Sequence, residues 1–84
     1  MNRYLVMTVR QPAFQESAVA PHYEFLARLR EQGRLELAGP FGDKSGGAWL
    51  LKAASLADAQ ALAGSDPLCV TGSSLITVYE WNAS

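Results

Sequence analysis

Apolar residues in this chain recur at two different spacings, and the order in which those spacings alternate restricts the fold more than any single motif. From Arg3 to Val9 the residues are mostly β-formers, and the segment reads as a strand. Gln11-Pro12-Ala13 breaks it. From about Ser17 to Gln32 the spacing turns helical: His22, Phe25, Leu26 and Leu29 fall at i, i+3, i+4 and i+7, while Glu24, Arg28, Glu31 and Gln32 lie elsewhere. Pro21 then belongs in the first turn, where a missing N–H costs little. Gly33 is a natural stop just past the end.

The alternation resumes from Arg34 to Phe41, a second strand, with Leu35 and Leu37 set against Glu36 and Ala38 and with Gly39-Pro40 ending or kinking it. Gly42-Asp43-Lys44-Ser45-Gly46-Gly47 is a turn by composition. A third strand, Ala48 to Ala53, should close a hairpin with the second. Ser55-Leu56-Ala57-Asp58 resembles a capping box with Asp in place of Glu, and it opens a second, alanine-rich helix to Ala63 with Gly64 as its stop. Ser65 to Ser73 shows no period, and Ser74 to Trp81 reads as strand four. The order β-α-β-β-α-β is the ferredoxin-like arrangement: an α+β domain with a four-stranded antiparallel sheet and both helices on one face.

The strands are apolar on both sides. Tyr4 and Val6 oppose Leu5, Met7 and Val9. Trp49 and Leu51 oppose Ala48 and Leu50, and Leu75, Tyr79 and Trp81 oppose Ile76 and Val78. Helices on one face can cover only one of these sets, whereas a sheet with one wet face alternates apolar with polar. A large bare apolar face is unusual on a monomer. The expectation is a homodimer packed sheet against sheet. Size points the same way: 84 residues make one domain with a thin core, and the single cysteine, Cys69, excludes an internal disulfide.

The charges exclude several partners. A net charge of −1 with scattered acids and bases has no basic stripe for nucleic acid and no polybasic segment for a membrane surface. The apolar run Tyr4–Val9 after Arg3 is too short for a signal peptide or a spanning helix, so a cytoplasmic location is expected. One His and one Cys give no zinc-type ligand spacing, and no metal is expected.

Few residues remain for chemistry. His22 lies near the start of the first helix on its apolar stripe. It reads either as a core histidine bonded to a backbone carbonyl or as a general base at a pocket mouth. Asp66 precedes Pro67 and reads either as the cap of a short helical turn or as a carboxylate that orients His22. Arg10 closes the first strand, as a solvated surface arginine or as a contact for an anionic substrate. Cys69 has no companion His and reads as a small buried hydrophobe. The glycines at 42–47 join two strands, open no helix, and make no phosphate loop. Ser73-Ser74 reads as the start of the last strand. Trp49, Tyr79 and Trp81 read as core or interface aromatics, since no basic groove accompanies them.

Four pieces together resemble the YciI-like (YCII) family over nearly the whole chain: Arg3-Tyr4-Leu5-Val6, His22, Gly33-Arg34-Leu35-Glu36-Leu37-Ala38-Gly39-Pro40, and Asp66-Pro67 with Gly72 following. The resemblance implies a ferredoxin-like protomer of the dimeric α+β barrel type and a His–Asp pair, here His22 and Asp66, as active site. A related dehydrochlorinase of aromatic degradation implies chemistry without cofactor. The family often carries an arginine shortly before the histidine, and the segment Arg10–Pro21 has none after Arg10 itself. The function expected from these readings is cofactor-independent proton transfer, elimination or isomerisation, on a small organic substrate. The rival is a non-catalytic dimeric protein that binds a small molecule.

Overall fold

The computed structural model describes residues 1–84. Its elements are β1 (Asn2–Arg10), α1 (Val19–Glu31), β2 (Leu35–Pro40), β3 (Gly46–Ala53), α2 (Leu56–Gly64), α3 (Pro67–Val70) and β4 (Ser74–Glu80), with a 3₁₀ turn at Glu16–Ala18 leading into α1. The sheet order is β2-β3-β1-β4 and every pairing is antiparallel. This is the ferredoxin-like α+β arrangement that the element order implies.

Register assigns the two faces. Tyr4 stands opposite Leu51 and Glu80, Val6 opposite Trp49 and Val78, and Thr8 opposite Gly47 and Ile76. Cross-strand partners share a face, and this set meets the helices. Tyr4, Val6, Trp49 and Leu51 are buried there with Phe25, Leu26 and Leu29 of α1 and Ala59 and Ala63 of α2. Phe25 meets Trp49 edge to face, ring centroids 5.9 Å apart. Ala59 and Ala63, four residues apart and fully buried, let α2 lie close to the sheet. Each large apolar side chain buried here contributes about 1.5–3 kcal/mol. The opposite face carries Val9, Leu37, Leu75 and Tyr79, all exposed.

The helix ends follow the sequence signals. Gly33 has φ +74°, its N–H bonds Arg30 O, and Arg34 N–H bonds Leu29 O, which is the Schellman pair that closes α1. The Ser55 hydroxyl accepts from Asp58 N–H at 3.1 Å and opens α2.

Two places depart from the simple periods. Ser65–Ser73 holds the short helix α3, because Pro67 stands in its first turn and Asp66 Oδ1 accepts from Leu68 N–H at 2.9 Å. In β2 a bulge shifts the register: Leu35 faces Leu51, but Leu37 faces Leu50. Leu35 is therefore buried and Leu37 exposed, although their spacing alone puts them on one face. The same shift places Ala38 opposite Trp49, on the helix side.

Candidate functional site

α1 packs on the sheet through Phe25, Leu26 and Leu29, and beside that packing a cavity of about 320 Å³ opens between α1 and the ends of β2 and β3. The helix wall is a second stripe: Val19, His22, Tyr23, Leu26, Ala27 and Arg30 recur at i, i+3, i+4, i+7, i+8 and i+11. The sheet wall is formed by Ala38, Gly39, Gly46, Gly47 and Trp49. It is low because three of these positions are glycine. At Gly46, φ is +156° and a Cβ would overlap the Thr8 carbonyl oxygen; at Gly47 a Cβ would lie 2.6 Å from Gly39 O. The Thr8 hydroxyl fixes this corner by accepting from Gly47 N–H at 3.0 Å. Trp49 is buried, and its Nε1–H is the single buried side-chain nitrogen or oxygen without a hydrogen-bond partner.

The structure brings His22 and Asp66 together. His22 Nδ1 lies 2.8 Å from both Asp66 Oδ1 and Oδ2. Asp66 is fully buried, and the His22 side chain is 14% exposed. Asp66 also caps α3 through Oδ1, so it makes the cap and the His22 contact at once. A carboxylate beside Nδ1 accepts its proton and selects the Nδ1–H form of the neutral ring. Nε2 is then left as the acceptor, without a protein partner, on a residue that lines the cavity.

Arg10 also lines the cavity, exposed at its mouth, with its guanidinium carbon 3.9 Å from the centroid of the Phe14 ring. Cys69 is free and part-buried in α3 and does not line this cavity. Tyr79 and Trp81 are exposed away from it. No group of three or more His, Cys, Asp or Glu side chains gathers that could hold a metal ion.

Sequence reasoning missed three contributors. Arg30 lies on the cavity stripe of α1, eight residues beyond His22, and extending that stripe from His22 would have found it. Phe14 carries Arg10. Ser73, fully buried, ties the β1–α1 connection to the start of β4: Gln15 N–H donates to its hydroxyl at 3.1 Å and Gln11 N–H to its carbonyl at 2.9 Å. No local pattern marks those last two.

The chain matches known proteins over nearly its full length. The YCII-related domain family matches residues 2–82. An uncharacterized protein of Bacillus subtilis (strain 168), YjpA, is 46% identical over 81 residues, covering 96% of this chain and 95% of that protein. Among solved structures, 5-chloro-2-hydroxyhydroquinone dehydrochlorinase (TftG) from Burkholderia phenoliruptrix AC1100, in complex with 2,5-dihydroxybenzoquinone, has the same fold. Its TM-score is 0.75 at 19% identity, with 98% of this chain and 95% of that one covered. On the match across residues 2–82 and the close relative in B. subtilis, this chain belongs to the YCII-related family.

Proposed function

We propose that this protein is a cofactor-independent enzyme that moves a proton on a small organic substrate, with His22 as general base and acid and Asp66 as the residue that holds it in place. The observation that carries the reading is the bond from Nδ1 to a fully buried carboxylate at 2.8 Å, on a histidine that lines the cavity and whose Nε2 has no protein partner. Nε2 takes a proton from an acidic C–H of the substrate. The C–H electron pair becomes a new C=C bond. In an elimination the leaving group departs with its own electron pair; in an isomerisation an existing double bond of the substrate breaks, and its electron pair takes the proton back from Nε2 at a different carbon. Asp66 stabilises the imidazolium formed between these steps. The dehydrochlorinase that shares the fold, solved with a hydroxylated quinone, favours a ring compound as substrate.

The working form in this proposal is a homodimer through the bare sheet face, where Val9, Leu37, Leu75 and Tyr79 are exposed. A cytoplasmic setting suits a chain whose one cysteine is free, and no helix is long and apolar enough to cross a membrane. If the protein binds a small molecule without transforming it, the same cavity serves but His22 is a ligand contact only.

Deuterium exchange separates these readings. Hydroxylated ring compounds with an acidic C–H are incubated with the protein in heavy water. The expected result is exchange that falls by at least about a hundredfold in His22→Gln. Exchange that persists in His22→Gln removes the proposal. No exchange, with binding intact, selects the non-catalytic reading.

A further inference from the structure

The cavity beside His22 has a charge pattern that proton transfer does not use. Its lining includes two arginines, Arg10 and Arg30, and no Asp or Glu. Neither arginine has a carboxylate partner: the ion pairs of the chain are Arg3–Glu36, Lys52–Glu36 and, when the ring is protonated, His22–Asp66. In a chain with eight acidic and seven basic residues this separation is local, not a consequence of composition. Arg10 lies over the Phe14 ring, which occupies one face of the guanidinium plane and leaves its in-plane N–H donors free.

Arg30 comes from the helix wall. Eight residues of α-helix place it about 12 Å along the axis from His22; both side chains lean toward the N-terminus, and the longer arginine reaches further back, which shortens the gap. A one-ring compound spans what remains. Phe14, Tyr23, Leu26 and Trp49 give the space between an apolar, largely aromatic lining. An arginine fork binds a carboxylate with two parallel N–H···O bonds.

We infer that the cavity selects a ring-bearing carboxylate, held by Arg30, with the Arg10 charge facing the same cavity. This deepens the proton-transfer reading, because a carboxylate held at Arg30 leaves the ring on the side of His22; the anion site itself does not depend on that chemistry.

Benzoate and its uncharged counterpart benzamide are the probes, with binding followed by amide chemical shifts of the full chain. Benzoate binds with saturation in the millimolar range or below, and benzamide at least about tenfold more weakly. Arg30→Gln and Arg10→Gln each weaken benzoate by about tenfold while the amide spectrum of the core is unchanged, and added salt weakens it in the wild type. His22→Gln still binds benzoate, so a failed proton-transfer reading and a failed anion site give different results. Equal binding of benzamide and benzoate, no effect of Arg30→Gln, or no benzoate saturation at millimolar concentration each overturns the inference.

Discussion

Asp66 reaches back 44 residues to His22 and at the same time caps its own helix: both carboxylate oxygens lie 2.8 Å from Nδ1, and Oδ1 also accepts from Leu68 N–H at 2.9 Å. The two duties respond differently to substitution. Asp66→Asn keeps an oxygen for the cap but loses the charge. Asp66→Ala loses both and leaves Leu68 N–H and Nδ1 unpaired in a buried site, a cost of about 1–3 kcal/mol. Urea unfolding should therefore rank wild type, Asp66→Asn, Asp66→Ala in falling stability. Ring-nitrogen NMR should show the neutral His22 of the wild type as the Nδ1–H form and a mixture in Asp66→Ala. Equal stability of Asp66→Ala and wild type would mean that the cap carries no weight.

Gly46 is a site where any side chain collides with backbone. A Cβ there would overlap Thr8 O, and φ is +156°, a region L residues rarely adopt. Neither β1 nor β3 can move freely, since each is paired on both sides. Gly46→Ala should cost about 2–4 kcal/mol. Gly42→Ala, in the same hairpin, meets nothing within 4 Å and should stay within about 0.5 kcal/mol. Chemical unfolding of the two variants side by side checks the contrast, and similar midpoints would contradict it.

The scaffold was readable because each strand and helix announces itself over several residues. The stripe Phe25-Leu26-Leu29 and the stop at Gly33 needed only local rules, whereas Gly64, expected as a stop, is the last residue of α2 and Ser65 follows it as the cap. The β2 bulge was not readable: nothing in Leu35-Glu36-Leu37 says that the pairing with β3 slips, because the slip is set by the partner strand. The site divides in the same way. His22 and Arg30 share a helix stripe and are visible as period. Asp66 and His22 are joined only through tertiary packing of α3 on α1, so no spacing rule links them, and only the family resemblance suggested that the two side chains meet. Ser73 is an anchor whose partners, Gln11 and Gln15, lie about 60 residues upstream in a segment without a period.

Asp43 gives a pH-dependent contact in the β2–β3 hairpin. Hydrogen bonds from Ser45, including its N–H at 3.0 Å from Oδ1, hold the Asp43 carboxyl below the usual carboxylate range. A lowered folded-state value means that the contact contributes at neutral pH and is lost as pH falls through that value. The Ser45 amide signal should titrate at a pH below that of an ordinary carboxylate, and Asp43→Asn should remove the titration. Because Asp43 is exposed, global stability should change little. A Ser45 signal that is flat in the wild type would rule the contact out.

The bare sheet face makes the assembly testable without any substrate. Leu37 is 69% exposed and Leu75 60%, with Tyr79 and Val9 beside them in register: Val9 pairs with Leu75, and Leu5 with Tyr79. These exposed side chains come from three of the four strands, β1, β2 and β4. Such a face on a chain this short leaves much of its apolar surface wet unless a second copy covers it, and a stable pairing buries about 800 Å² on each partner. Sedimentation at micromolar concentration should give twice the chain mass of 9.1 kDa. A charge placed within the paired faces is buried without a partner, which is costly. Leu75→Asp should therefore raise the dissociation constant by at least about a hundredfold and sediment as a monomer, whereas Glu24→Gln, on the helix side, should not alter the mass. A wild-type monomer at micromolar concentration would refute sheet-to-sheet pairing, and a dimer indifferent to both Leu75→Asp and Leu37→Asp would move the interface to the helix side.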